Sequence, residues 1–380
     1  MLAPHLIRPE ELDRRTNHSH KTATAFYLGN VGSHERQERM QRHLILHAGM
    51  HKTGTSSIQK YLHTADLQNA GYLKWRKPNH SILFVMLFAQ KPQEHWFFRQ
   101  RNVSLQELSV RRKRQRKKIA QQILSSRHSL FLFSAERMYG ASRRDLENCR
   151  SFFSEHFPKI SVHCYVRDPL GFAASMFQQN LKTGGVPGPL SVLPRFSQRI
   201  GNLDGVFGED QVHLRLHRDP HQRSENIVED FCDWVGLDST TDKNIAANQS
   251  LSADATALLY LFRKRAGFQL TSADAVAENQ KMIQALTLID GPRLRFSDAF
   301  FGEDGREILA HEQNWVQARM NRTLPEPGAQ AGNVLAFDKI DDIEDYGRQV
   351  FHQRSGAEFR DEDWFNAPQG LARRFSQTVA

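Results

Sequence analysis

The chain has 380 residues, of which 39% are hydrophobic and 24% are charged. This balance is typical of a globular protein and excludes a fibrous or disordered chain. Its 51 Lys and Arg residues outnumber its 42 Asp and Glu residues, for a formal net charge of +9. This excess of positive charge indicates an anionic partner. Charge alone does not distinguish a nucleotide from a nucleic acid or an anionic lipid.

The sequence pattern predicts neither a secretory signal nor a membrane span. The longest apolar run, residues 82–89, is far too short to cross a bilayer, so no membrane span is expected. Residues 1–40 are polar and rich in His and Arg, which predicts a loosely held arm rather than a secretory signal. Three widely spaced cysteines, Cys149, Cys164 and Cys232, do not predict a disulfide framework. Together these features predict a cytoplasmic protein.

The first regular elements enclose a glycine-containing loop. Residues 43–47 (HLILH) form a short apolar run that predicts a strand, and residues 55–62 have helical spacing of apolar side chains. A strand, a loop and a helix in this order are typical of a phosphate-binding unit.

Three more strands are predicted, at residues 130–133, 160–166 and 212–216, with helical segments between them. This alternation predicts a parallel sheet flanked by helices, in an α/β domain that spans residues 41–325. A linker-like stretch then leads into residues 326–380, which we expect to form a helical and irregular extension that packs on the same domain.

The loop after the first strand combines a cation, a glycine and several hydroxyl groups. Gly54 allows close approach of the backbone to a ligand, and Lys52 adds a positive charge. Around them are the hydroxyl side chains Thr53, Thr55, Ser56 and Ser57. Because Lys52 precedes Gly54, the order differs from the usual nucleoside triphosphate loop, in which Lys and Ser/Thr follow the last glycine. The alternative is a glycine turn that merely starts a helix, but the pattern favours an anion site.

A second segment, residues 167–179 (RDPLGFAASMFQQ), predicts a corner between a strand and a helix. Arg167 ends the strand, Asp168 is a suitable N-cap, and Pro169 suits the first helical turn. Ser175 follows on the same helix. A guanidinium and a hydroxyl on one rigid corner are suited to sharing a phosphate group.

Together, the two segments resemble the donor-binding motifs of sulfotransferases that use 3'-phosphoadenosine 5'-phosphosulfate (PAPS), and they look closest to bacterial members. Residues 47–59 (HAGMHKTGTSSIQ) resemble the 5'-phosphosulfate loop, and Arg167 with Ser175 resembles the 3'-phosphate motif. Weaker similarity covers FSAERM at 133–138, the stretch around 229–231, and residues 248–252.

The resemblance implies a three-layer, P-loop-NTPase-like domain with a central parallel sheet. It also implies a site in which the 5'-phosphosulfate is bound by Lys52, Thr53, Gly54, Thr55 and Ser56, and the 3'-phosphate by Arg167 and Ser175. No metal is expected in such enzymes. A sulfuryl group carries less negative charge than a phosphoryl group, so a lysine and backbone amides are able to balance the charge that develops during transfer.

Two residues are candidates for the base that accepts the proton of the acceptor hydroxyl. His80 follows the phosphate loop and its helix, where the related enzymes often have an acceptor-side histidine, and its ordinary pKa suits the role. Glu136 lies after residues 130–133, at the carboxyl end of a predicted strand, where open α/β sheets bind ligands. The sequence leaves the choice between them open.

The acceptor is predicted to be a hydroxyl compound, with a carbohydrate or glycolipid first, a phenol second and a protein tyrosine third; no nucleic acid is expected. Two other functions stay open, a P-loop kinase that uses ATP and a non-catalytic binder of polyanions. The second would use residues 111–118 (RRKRQRKK), which otherwise form a solvated helix or loop. Histidine pairs at 43/47, 47/51, 213/217 and 217/221 have no third ligand in the sequence, so no metal site is predicted.

Overall fold

The computed structural model describes residues 41–380 except 51, 218, 220–223, 225, 239–241, 243–249, 267–271, 326–332, 361–374, 376 and 379–380. The predicted N-terminal arm, residues 1–40, therefore lies outside the described part, as do residues 248 and 249 of the weaker resemblance.

Five parallel strands form the central sheet, in the order β2-β3-β1-β4-β5. They are β1 (His43–His47), β2 (Ala70–Tyr72), β3 (Leu130–Ser134), β4 (Lys159–Val166) and β5 (Val212–Leu216). The four predicted strands are confirmed. The three-residue β2 was not predicted, because one of its residues is glycine and the run is too short to show alternation.

Helices connect the strands and cover both faces of the sheet. Around the first three strands they are α1 (Thr55–Thr64), α2 (Ser81–Phe88), α3 (Trp96–Arg99) and α4 (Leu105–Ser125). Between β3 and β5 they are α5 (Glu136–Tyr139), α6 (Arg143–Ser154), α7 (Pro169–Lys182) and α8 (Phe196–Phe207). Beyond it lie α9 (Ile227–Val235), α10 (Ala253–Ala266), α11 (Ala273–Leu286), α12 (Gly302–Met320) and α13 (Ile340–Ser355).

Alternate residues of the strands point to two different cores. On one face, Ile45 and Leu132 pack with Ile58 and Tyr61 of α1 and Phe231 of α9. The other face is covered mainly by α2, α4, α6 and α8, in a larger cluster that includes Leu44, Leu46, Phe133 and Val162. Burial on both faces is typical of a parallel sheet and explains the nearly continuous apolar strands. The structure thus confirms the predicted three-layer α/β architecture.

A third cluster joins the C-terminal segments to α7. A two-stranded parallel sheet, β6 (Arg293–Phe296) with β7 (Val334–Phe337), pairs residues from both sides of the predicted boundary at 325/326. Helix α13 lies so close to α10 that a Cβ on Gly347 would be only 2.7 Å from the Ala257 carbonyl oxygen. The small residue is therefore required for this helix contact.

Within the described ranges, no helix combines the length and apolarity required to cross a bilayer. Cys149, Cys164 and Cys232 are free thiols buried in the core.

Candidate active site

Apart from His80, which follows the edge strand β2, the predicted site residues come after the carboxyl ends of β1, β3 and β4, which are neighbours at the centre of the sheet. His47 pairs with Ser134 on one side and with His163 on the other, so β1 and β3 end level with each other, while β4 continues to Val166. Glu136 begins α5 two residues after β3, and Arg167 directly follows β4. This edge is where open parallel sheets place their ligands.

The loop between β1 and α1 is held in an unusual backbone conformation. Lys52 has φ +62° and Gly54 has φ +75°, both in the left-handed region. A Cβ on Gly54 would lie 2.7 Å from Cγ2 of Ile227, so α9 leaves room only for glycine here. No side chain caps the first turn of α1, and that turn contains no acidic residue. The N-terminus of α1 is therefore suited to an anion through its backbone amides and dipole.

The hydroxyl groups of the loop do not all face this N-terminus, which differs from the expectation drawn from the sequence. Thr53 and Thr55 are buried, and their Oγ1 atoms donate to the Met50 carbonyl oxygen at 2.9 and 3.1 Å. The tight turn leaves this carbonyl without a strand partner, and the two threonines satisfy it. Ser56, by contrast, is exposed on the first turn of α1.

Arg167 and the loop are in direct contact. The Arg167 guanidinium donates from Nη1 to the backbone carbonyl oxygen of Lys52, at 3.1 Å. Asp168 caps α7 as predicted, because its Oδ1 accepts from the Gly171 amide at 2.6 Å. Ser175 lies further along α7, with 8% of its surface exposed. The two sequence motifs therefore meet at one corner.

Three charged side chains influence one another at this corner. Burial lowers the pKa of Lys52, the positive charge of Arg167 lowers it further, and the negative charge of Glu136 acts in the opposite direction. Burial raises the pKa of Glu136, an effect that the positive charge of Lys52 partly offsets. We refer to Lys52, Glu136, Arg167 and the first turn of α1 as the Lys52 corner. It places a cation, a carboxylate and a guanidinium around one open helix terminus.

His80 occupies a different position from the one expected. Its side chain is fully buried and stacks on Tyr72, with ring centroids 4.5 Å apart. Its Nδ1 accepts from the Ser134 amide at 3.3 Å, so Nε2 carries the proton of the neutral ring. Burial lowers the pKa of His80 to about 3. The ring is therefore neutral, and its lone pair is already engaged inside the protein.

Ser134 connects His80 to the elements around the corner. Its Oγ is 2.8 Å from Nδ1 of His47, which ends β1, and accepts from Nε2 of Gln59 on α1 at 3.1 Å. Its carbonyl oxygen accepts from the His80 amide at 2.9 Å. Ser134 thus ties β1, α1 and the start of α2 to the segment that leads into Glu136. In the sequence, Ser134 falls within the weakly similar segment 133–138 but has no predicted role, because its local pattern is that of the end of an apolar strand.

Lys182, at the end of α7, is a second residue that the sequence did not reveal. Burial and then the positive charge of Lys52 lower its pKa to about 8. It therefore brings a second lysine charge to the corner. Lys182 lies 15 positions after Arg167 and four helical turns away, so only the path of α7 relates it to the loop.

Metal ligands do not converge within the described ranges, where no group of three or more His, Cys, Asp or Glu side chains is arranged to hold an ion. Residues 51 and 221, which belong to two of the histidine pairs, lie outside those ranges.

Comparison with known proteins gives matches in structure alone. No protein-family model matches the sequence, and no curated protein does. The structure is similar to a sulfotransferase from Alicyclobacillus acidocaldarius at 12% identity and a TM-score of 0.35, over 74% of this chain and 96% of that one. It is also similar to the sulfotransferase domain of the Synechococcus PCC 7002 olefin synthase at 13% identity and a TM-score of 0.30, over 62% of this chain and 79% of that domain. Both of these solved structures are sulfotransferases or sulfotransferase domains.

Proposed function

We propose that the chain is a sulfotransferase that moves the sulfuryl group of PAPS to a hydroxyl group of an acceptor, with a carbohydrate or glycolipid as the favoured class. The observation that carries the proposal is the hydrogen bond from Arg167 to the Lys52 carbonyl oxygen. It joins a loop suited to the 5' end of the donor to a guanidinium suited to its 3'-phosphate. A doubly phosphorylated adenosine has its two anionic groups on one ribose, so the groups that bind them must lie close together, and the contact between Arg167 and the loop supports this.

In this proposal the loop and α7 bind the donor from two sides. The backbone amides at the start of α1, with Gly54 and the exposed Ser56, receive the 5'-phosphosulfate, while Thr53 and Thr55 hold the loop in shape. Arg167 and Ser175 receive the 3'-phosphate. Lys52, with its half-buried charge, faces the oxygen that links sulfur to phosphorus.

The transfer step is an in-line displacement. The acceptor oxygen forms a bond to sulfur, the bond from sulfur to the phosphate oxygen breaks, and 3'-phosphoadenosine 5'-phosphate (PAP) leaves with the electron pair. Lys52 stabilises the negative charge that appears on the departing oxygen, and the acceptor proton passes to the Glu136 carboxylate.

Glu136, rather than His80, is the base in this mechanism. The Glu136 side chain is partly exposed and interacts with Lys52, whereas His80 is fully buried with its lone pair engaged by the Ser134 amide. His80 instead supports the strand end from which Glu136 projects, through two hydrogen bonds to the Ser134 backbone.

A transfer assay tests the proposal. The purified chain is incubated with sulfur-35-labelled PAPS, EDTA and a panel of polysaccharides, glycolipids, phenols and tyrosine peptides. We expect label on a hydroxyl compound and competition by added PAP. If label stays on the donor throughout, while ATP with Mg²⁺ yields a phosphorylated acceptor, the chain is a kinase and the proposal fails.

A further inference from the structure

The basic run at 111–118 does not form one uniform charged surface. It lies within α4, and its residues divide by helical spacing between two sides. Arg112 donates to the carbonyl oxygens of Met86 and Ala89 at 2.8 and 2.6 Å, and Arg116 donates to that of Leu87 at 3.0 Å. These two arginines satisfy the carbonyls at the end of α2, so their role is structural.

The other side of α4 faces a groove. Its cationic lining residues come from α4 and from the segment after β2, and they are Lys74, Arg76, Arg111, Arg114 and Lys118. The groove has a volume of about 640 Å³, within the range of ligand sites. None of the described residues that line this basic groove is Asp or Glu. Only Arg111 has a carboxylate partner from its own helix, Glu107 at 2.5 Å.

The walls of the basic groove are held together by specific contacts. Gln122 of α4 accepts from the Lys74 amide at 2.8 Å and donates to the Lys74 carbonyl oxygen at 3.2 Å. Apolar side chains of Ile82, Met86 and Phe98 form the floor. The cations are therefore arranged around a preformed, partly apolar cleft, not spread over a solvated helix.

Helix α2 contacts both the basic groove and the segment that carries Glu136. Ile82 and Met86 of α2 line the groove, and Ser81 at the start of α2 accepts through Oγ from the Arg137 amide at 3.0 Å. Arg137 directly follows Glu136. An acceptor bound in the groove therefore contacts α2, the helix that also contacts the residue after Glu136, the proposed base.

We infer that the basic groove binds the acceptor, and that this acceptor is a glycan which already carries carboxylate or sulfate groups. The inference rests on the proposed function and specifies its substrate class. The cations from 111 to 118 extend over roughly 10 Å of helix, the length of a short oligosaccharide. Such a chain offers both the anionic groups that the cations require and the hydroxyl groups that the transfer requires.

Trp75 favours a glycan over a single-stranded nucleic acid. Its ring packs partly against the core, and the Arg76 guanidinium lies over it, 5.1 Å from the ring centroid. Base stacking requires an open aromatic face. The apolar floor of the groove, in contrast, is suited to contact the C–H groups of sugar rings beside the cations.

The test measures binding of a fluorescent heparin-derived oligosaccharide by anisotropy, as a function of salt. We expect the wild type to bind it, and the double variant Arg114→Ala/Lys118→Ala to bind about tenfold more weakly at low salt. The slope of log Kd against log salt should decrease by about two, one for each cation removed. The matched control Lys113→Ala/Lys117→Ala removes two exposed lysines of the same helix that do not line the groove, and should change Kd less than about twofold.

Two further arms make the outcome decisive. An uncharged oligosaccharide of equal length should not bind, and an oligodeoxynucleotide of equal charge should bind more weakly than the heparin fragment. Equal effects of the two double variants, or tighter binding of the oligonucleotide, would overturn the inference. PAP titrations of the same samples keep this apart from the proposed function, because the groove variants should bind PAP like the wild type.

Discussion

The Lys52 corner and the basic groove both collect positive charge, but they are built in different ways. At the corner, charge is partly buried and held by backbone, as in the hydrogen bond between Arg167 and the Lys52 carbonyl. In the groove, Arg111, Arg114 and Lys118 are exposed side chains on one face of α4. Buried charges act strongly and resist screening by salt, whereas exposed ones act weakly and are screened. The difference suggests chemistry at the corner and recognition in the groove.

The largest effect that would separate the two regions is expected for Lys52→Ala. In the proposed mechanism Lys52 faces the departing oxygen, so its removal should lower kcat by about a thousandfold, with a smaller loss of PAP affinity. The measurement is kcat for sulfate transfer, together with calorimetry of PAP.

Lys60→Ala is the matched control, since Lys60 is an exposed lysine on α1, the helix that follows the loop of Lys52. It should retain wild-type turnover. Similar losses in both variants would mean that the corner, like the groove, acts only through its overall charge.

Glu136→Gln is expected to have the next largest effect, a decrease of about a hundredfold in kcat through loss of the base. The pH profile makes this prediction specific. The carboxylate is active only when ionised, so activity is present above the Glu136 pKa and is lost as pH falls through it. Because burial raises that pKa, the loss should begin at a higher pH than for an ordinary glutamate. In Glu136→Gln this acidic limb should disappear, and its persistence would assign the base elsewhere.

Ser134→Ala tests whether the corner depends on the polar network beneath it. The change removes the hydroxyl partner of His47 Nδ1 and leaves Gln59 only its longer contact with the Ser134 carbonyl oxygen at 3.4 Å, which should decrease the free energy of unfolding by about 1–3 kcal/mol. Because Ser134 leads into Glu136, kcat should also decrease by about tenfold while the groove still binds its oligosaccharide. Denaturant unfolding and turnover are measured on the same sample.

Ser161→Ala provides the comparison. Ser161 is an equally buried strand serine, with Oγ 2.8 Å from Nε2 of His43 and 3.2 Å from Nε2 of His163, but it lies away from the carboxyl edge of the sheet. The Ser161→Ala variant should lose a similar amount of unfolding free energy and should keep the turnover of the wild type. Equal losses of turnover in the two variants would mean that Ser134 contributes to the stability of the fold and has no specific role at the corner.

The smallest effect at the corner is expected from Lys182. Its pKa of about 8 means that it is charged below that pH and loses its charge above it. PAP affinity should therefore fall a few-fold as the pH rises through about 8, and Lys182→Arg, which stays charged, should flatten this dependence. Calorimetry at several pH values measures it. An unchanged pH dependence in Lys182→Arg would remove Lys182 from the site.

Much of the fold follows from local patterns in the sequence. The strands β1, β3, β4 and β5 are apolar runs with clear ends, and Asp168-Pro169 marks the start of α7 correctly. The resemblance to donor-binding motifs also predicted that the loop and Arg167 lie together, and both follow strands whose carboxyl ends meet at one edge of the parallel sheet. The short β2 and the β6–β7 pair carry too weak a pattern to predict.

Side-chain direction was much harder to predict than position. Local spacing does not reveal that the Thr53 and Thr55 side chains turn inward to the Met50 carbonyl oxygen. It also does not reveal that the His80 side chain is buried. Helical periodicity was sufficient to divide the basic run into two faces, since Arg112 and Arg116 lie on the same face of α4 as the buried Ile119 and Ile123. The two faces are hard to see in the sequence because the continuous run of Lys and Arg interrupts the apolar positions that would mark the buried face. The contributions of Ser134 and Lys182 depend on contacts between distant segments.

The central claim is that the Lys52 corner holds a single nucleotide by both of its phosphate ends, and calorimetry of PAP and adenosine 5'-monophosphate tests it most directly. These ligands differ only in the 3'-phosphate. We expect the wild type to prefer PAP by tenfold or more, about 1.4 kcal/mol, and Arg167→Ala to bind the two ligands nearly equally. A wild type without this preference, or an Arg167→Ala variant that retains it in full, would contradict the account.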